Sequence, residues 1–174
     1  MHILGILTTI AIAIFWISRA ARGSRDIVDV ASSLANLPRK RKFQKLHGKS
    51  GYALVETPIE AATVLMIAVA RVDSLRGVSE AEIAAITLQL EQNMQLGTEA
   101  ADGIYRQMYN LTHEIILPET ALFPMVDILK NSIDRDDALQ LARMMERVAT
   151  CETIATTEQM EFIRRFKERM NLLH

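Results

Sequence analysis

Ten consecutive residues, Ala61–Ala70, read AATVLMIAVA, and only Thr63 among them carries a hydrogen-bonding side chain. A bilayer crossing needs about twenty apolar residues, so this run, bounded by Glu60 and Arg71, is too short to span one. A helix that is apolar on every side must instead be enclosed by protein. The run also has a clear start. Thr57 is placed to cap a helix, Pro58 falls at the first helical position where its missing N–H costs nothing, and Glu60 completes a capping box. The stretch is therefore predicted to be the central core helix of the domain, and the rest of the chain must supply apolar faces to wrap it.

The remaining residues offer helices for that purpose. A second start lies at Ser79 with Glu82 three residues on, followed by Ile83, Ile86, Leu90 and Met94 at helical spacing, with Gly97 expected to end the helix. A third helix is expected over about 98–116, stopping before Pro118, and a fourth over 121–132 with Pro124 near its first turn. Asp134 caps a fifth, with Asp136 and Asp137 in the first turn where the helix dipole favours acid. Thr156 or Thr157 opens the last, with Met160, Ile163, Phe166 and Met170 on one side. No segment alternates with period two for long enough to propose a sheet. The expected class is all-α, a bundle of about six helices. The nine methionines read as core filler at helical spacing. The single Cys151 excludes an internal disulfide, suits a reducing compartment, and reads as a small residue packed in a helix.

Within this region the sequence repeats. Setting Asp73 against Glu152 aligns Met66 with Met145, Val69 with Val148 and Ala70 with Ala149. Beyond the turn, Val78 meets Ile154, Glu82 meets Glu158, Ile86 meets Phe162, Leu90 meets Phe166 and Met94 meets Met170. Two such units imply helical hairpins packed with pseudo-twofold symmetry around one core.

Charge divides the chain. Residues 1–51 hold nine Lys/Arg and two Asp, a balance of +7, whereas residues 52–174 hold eleven Lys/Arg and nineteen Asp/Glu, a balance of −8. Ile3–Ser18 carries no charged side chain, and Trp16 sits where an interfacial aromatic would. A cleaved signal peptide, a buried helix and a membrane anchor all fit a run of this kind. The basic residues Arg19, Arg22 and Arg25 follow the run rather than precede it. That favours a single transmembrane helix with the C-terminal body on the cytoplasmic side. Arg39, Lys40, Arg41, Lys42, Lys45 and Lys49 then form a basic block with Phe43, interrupted by Pro38 and loosened by Gly48 and Gly51. With Arg19, Arg22 and Arg25, these residues are expected to meet anionic lipid headgroups. A solvated linker or an intramolecular partner for the acidic body, and nucleic-acid binding, are the alternative readings. The expected organisation is an anchor at 1–22, a basic juxtamembrane linker at 23–54 and a helical domain at 55–174.

The unit of an apolar helix ending V-A-x-x-acid, a turn, then an apolar residue and a glutamate resembles the paired motif of the TerB-like domain, named for tellurite-resistance proteins. The resemblance covers about residues 55–172 and includes the order of the two motifs around a variable middle. The basic stretch after an N-terminal apolar segment is similar to membrane-attached relatives. The family includes membrane-anchored cochaperones, but no J-domain is read here, so that role is not implied. The family motif reads A-D-G before the turn, and its acids are thought to bind a metal. The resemblance thus implies Asp73, Glu82, Glu152 and Glu158 as ligands for a hard cation such as Ca²⁺, Mg²⁺ or Mn²⁺. Both copies depart from the motif. Ser74 replaces the first glycine, Leu75 and Arg76 lengthen the turn before Gly77, and Glu152 and Thr153 replace the second aspartate and glycine. Helix capping with solvated acid is the alternative reading of the same residues.

Other chemistry finds little support. From Asp73, an EF-hand would require oxygen ligands where Leu75 and Gly77 stand. There is no C-x-x-C, H-E-x-x-H, Walker loop or G-x-S-x-G, and His113 and Glu114, adjacent on a helix, point in different directions. The expected function is a non-enzymatic membrane-associated accessory module, engaging an unknown protein partner and linked through the resemblance to tellurite or envelope and metal stress. A divalent-metal sensor using the paired acids, and nucleic-acid binding through the basic linker, are the alternatives.

Overall fold

The structure, a computed structural model, describes residues 51–73 and 77–173. Among the described residues there are six α-helices: α1 (Pro58–Arg71), α2 (Glu80–Met94), α3 (Thr98–Thr112), α4 (Leu122–Lys130), α5 (Arg135–Ala149) and α6 (Thr157–Arg169). Two 3₁₀ turns, Gly51–Leu54 and Pro118–Ala121, precede α1 and α4. No strand occurs among the described residues.

Every residue of α1 from Glu60 to Ala70 is buried, and the helix packs against each of the other five. Val64, Leu65, Met66 and Ile67 lie fully inside. Each such side chain contributes about 1.5–3 kcal/mol relative to exposure. Glu60 is buried without conflict, because its Oε2 accepts the N–H groups of Glu56 at 2.9 Å and Thr57 at 3.2 Å while the Thr57 hydroxyl accepts the Glu60 N–H. The capping box read from the sequence is thus what makes a carboxylate tolerable at the entrance to the core.

The same device starts three more helices: Ser79 with Glu82 at α2, Asp134 with Asp137 at α5, and Thr156 with Gln159 at α6. The ends of the helices are set differently from expectation. Gly97 does not end α2; Gln95 takes the left-handed conformation (φ 48°) directly after Met94, and Gly97 is the extended N-cap of α3. Helix α3 stops at Thr112, four residues before the expected 116. The Arg71 guanidinium donates to the carbonyls of Thr112 (2.8 Å), His113 (2.9 Å) and Ile115 (2.9 Å), satisfying groups that another helical turn would have used. Cys151 lies exposed in the turn after α5, not packed in a helix.

The two repeats are α1–α2 and α5–α6. Their N-caps Ser79 and Thr156 are equivalent, which shifts the pairing beyond the turn by one residue. Glu82 corresponds to Gln159 rather than Glu158, Ile86 to Ile163 rather than Phe162, and Val78 to Ala155 rather than Ile154. Burial agrees with the shift: Gln159, Phe162, Ile163 and Phe166 face inward, Ile154 is 93% exposed, and Met160, expected on the inner side, is 47% exposed. Leu90 and Met94 then lie opposite Lys167 and Asn171, so the repeat fades in the second half of the helix. A polar seam also joins the repeats. Gln89 Oε1 accepts from Arg147 Nη1 at 3.1 Å, and Gln140 Nε2 donates to Asn93 Oδ1 at 2.9 Å.

The packed body includes residues expected to belong to the linker, since Leu54 is buried and Tyr52 packs on the core. No helix among the described residues is long and apolar enough to cross a membrane. The proposed anchor at 1–22 and the basic residues Arg19, Arg22, Arg25, Arg39, Lys40, Arg41, Lys42, Lys45 and Lys49 lie outside the described residues. Because α1 is enclosed on all sides, Leu65→Ala is expected to cost about 2–5 kcal/mol, read as a lowered urea midpoint with unchanged slope. A change below about 0.5 kcal/mol would contradict the central placement of α1.

Candidate functional site

The turn after α1 and the turn after α5 come together at one end of the bundle. Between them lies a cleft of about 270 Å³ whose lining includes Asp73, Ser79, Glu82, Cys151, Glu152 and Gln159. Local structure places each group. Asp73 lies just past the end of α1, and Gly77 takes φ +86°, where a Cβ would stand 3.3 Å from the Tyr109 hydroxyl. That glycine turns the chain into Ser79, the cap of α2. On the other side Glu152 follows the C-terminus of α5, and Gln159 sits in the first turn of α6.

One hydrogen bond crosses the cleft. Ser79 Oγ donates to Glu152 Oε1 at 2.9 Å while accepting the N–H of Glu82 at 3.2 Å. The Glu82 Oε2 accepts the Ser79 N–H at 2.8 Å. Burial pushes the Glu82 carboxyl above its ordinary value, opposed by its bonds to Ser79 and reinforced by the negative charges of Glu152 and Asp73. The Cys151 thiol is likewise pushed up, first by burial and then by Glu82 and Glu152. A raised thiol is held in its less nucleophilic protonated form.

Of the four acids singled out in the sequence, Asp73, Glu82 and Glu152 line this cleft and Glu158 does not. Glu158 is at the exposed second position of α6, and the place equivalent to Glu82 belongs to the buried Gln159. The Thr156–Gln159 capping box was the signal that could have located it. Ser79 was read as a cap, and its bond to Glu152 was not foreseen. His113 and Glu114 are exposed at the end of α3, away from this cleft; His113 Nδ1 lies 3.1 Å from the Asn110 carbonyl oxygen and its ring stacks on Tyr109.

The donors present do not fit the cation cage that the resemblance implies. No group of three His, Cys, Asp or Glu side chains among the described residues converges closely enough to hold a metal ion. A neutral carboxamide takes the place of the fourth acid, and Ser79 already occupies one Glu152 oxygen. Among the described residues the cleft presents partly desolvated carboxylate oxygens able to accept from a hydrogen-bond-donating or cationic group.

Compared with known proteins, residues 59–174 match the family model described as tellurite resistance protein TerB, well over half of the chain. Searches of curated proteins and of solved structures returned no match.

Glu82 yields a prediction with a definite sign. Its folded pKa is raised, so between the ordinary value of 4.5 and the raised value the folded chain holds more proton than the unfolded one. Ionised Glu82 therefore opposes folding as pH rises through that window. Glu82→Gln removes the opposition and keeps an acceptor for the Ser79 N–H, as Gln159 does for Thr156 at 3.0 Å. The variant is expected to be more stable than the parent at pH 7, with the advantage shrinking towards pH 4.5, in denaturant titrations across that range. A variant less stable at pH 7, or one with the parent's pH slope, would contradict the assignment.

Proposed function

We propose that this chain, which belongs to the tellurite resistance protein TerB family, is a non-enzymatic accessory module that acts by engaging a protein partner through the acidic cleft between its repeats. The observation that carries the reading is the convergence of Asp73, Glu82 and Glu152 from both repeats on one cleft. The groups there suit binding better than turnover: the Cys151 thiol is pushed towards its protonated form, and the Ser79 hydroxyl is engaged as both cap and bridge. A partner segment bearing lysine or arginine would relieve the mutual repulsion of the carboxylates, and this relief is the source of affinity. The link to tellurite rests on the family membership.

The membrane part of the reading rests on sequence. The uncharged run Ile3–Ser18 would tether the module, with Arg19, Arg22 and Arg25 near anionic headgroups. Tethering confines the module to the surface where its partner would be met, which raises their effective concentration.

Two measurements test these statements. In a tellurite-challenged host that depends on the chain, Asp73→Lys with Glu152→Lys is expected to abolish tolerance while the purified variant keeps its helical circular-dichroism spectrum. Full tolerance in the charge-reversed strain would overturn the role of the cleft. For the tether, the full chain is expected in the detergent-extracted membrane fraction, with loss of residues 1–22 releasing it. A full chain that stays soluble without detergent, and is unaffected by the truncation, refutes the tether.

A further inference from the structure

A second cleft, of about 420 Å³, opens on the other side of Asp73, between the end of α1 and the loop that follows α3. Its rim carries Glu114 and Glu119, both exposed, with Ile116 at 78% and Leu117 at 56% exposure between them. The loop does not fold these apolar side chains inward, because Arg71 holds the carbonyls of Thr112, His113 and Ile115 and fixes its path. Neither Glu114 nor Glu119 makes an ion pair among the described residues. The cleft is thus an apolar shelf with Arg71 at its inner side and two carboxylates at its edge that make no ion pair among the described residues.

The chain enters the described domain beside this shelf. Gly51 takes φ +57°, and a Cβ there would stand 3.5 Å from Ile115 Cδ1. Tyr52 lies beside Thr120 and close enough to Arg71 and Glu119 to feel both charges. Immediately before Gly51 come Arg39, Lys40, Arg41, Lys42, Phe43, Lys45, Leu46 and Lys49. From Gly51, Lys49 is two residues away and Phe43 eight, a reach of at most about 28 Å. The segment supplies cations for Glu114 and Glu119 and apolar side chains for Ile116 and Leu117, and its short tether makes the contact intramolecular.

We infer that the basic segment Arg39–Lys49 docks on the Glu114–Glu119 cleft of its own chain. Docking would withdraw the basic block from other polyanions, so a competing anionic surface would have to displace it. The contact involves a different cleft from that of the proposed function, and either can fail while the other stands.

Tryptic cleavage of the full chain in neutral detergent tests the docking, followed by mass spectrometry of the cut sites. Glu114→Gln with Glu119→Gln removes both charges without creating a cleavage site and alters only exposed side chains. Cleavage after residues 39–49 is expected to accelerate about fivefold in this variant, with cuts elsewhere unchanged. Raising salt from about 50 to about 500 mM should accelerate the same cuts in the parent. A carbodiimide is expected to join Lys45 or Lys49 to Glu114 or Glu119 in the parent. Equal cleavage rates in parent and variant overturn the inference. So does protection that appears only on adding anionic vesicles, which would assign the segment to lipid, or only on adding RNA, which would assign it to nucleic acid.

Discussion

The enclosure of α1 is the constraint on which the rest of the bundle depends. A helix apolar on every face from Ala61 to Ala70 can be stable in a protein of this size only if other helices cover its whole circumference. Five helices do so, each burying apolar side chains against α1 and its neighbours. The demand reaches the helix ends as well. Glu60 is tolerated at the entrance because the cap accepts and returns hydrogen bonds, and Arg71 at the exit turns its charge to three carbonyls of the α3 loop. One side chain at the end of the core helix therefore fixes both the stop of α3 and the outward posture of Ile116 and Leu117.

That packing brings like charges together. The turns after α1 and α5 occupy the same end of the molecule, and their acids meet in one cleft. Repulsion there is moderated rather than removed. Ser79 bridges to Glu152, Gln159 is neutral where its counterpart Glu82 is acidic, and burial raises Glu82. The substitution of a carboxamide for a carboxylate reduces the local charge while preserving the helix cap, since either side chain can accept the N-cap N–H. The two repeats therefore keep the same local architecture with different chemistry, and the cleft departs from the metal site implied by resemblance.

What was legible in the sequence was local. Thr57 with Glu60, Ser79 with Glu82 and the cap Asp134 each specify a helix start within four residues, and all three starts stand as read. The core role of α1 followed from its length and its lack of polar side chains. Features that depend on distant residues were not legible. Gln95, a residue without glycine's freedom, ends α2, and α3 stops where Arg71 reaches it across the fold. The pairing of Glu82 with Glu158 failed because the relation between the two turns is set by their caps, not by matching acids along the chain. Counting from Ser79 and Thr156 as paired caps would have led to Gln159. The Ser79–Glu152 bond joins residues seventy-three apart and had no local signal.

The central claim is that the two repeats meet closely enough for an acid of one to sense an acid of the other. Carboxyl ¹³C NMR of Glu82 across pH, in the parent and in Glu152→Gln, measures this directly. Removing the Glu152 charge should move the Glu82 titration midpoint down towards the ordinary carboxyl value. A Glu82 midpoint that is the same in both proteins would place the two turns apart and contradict the account.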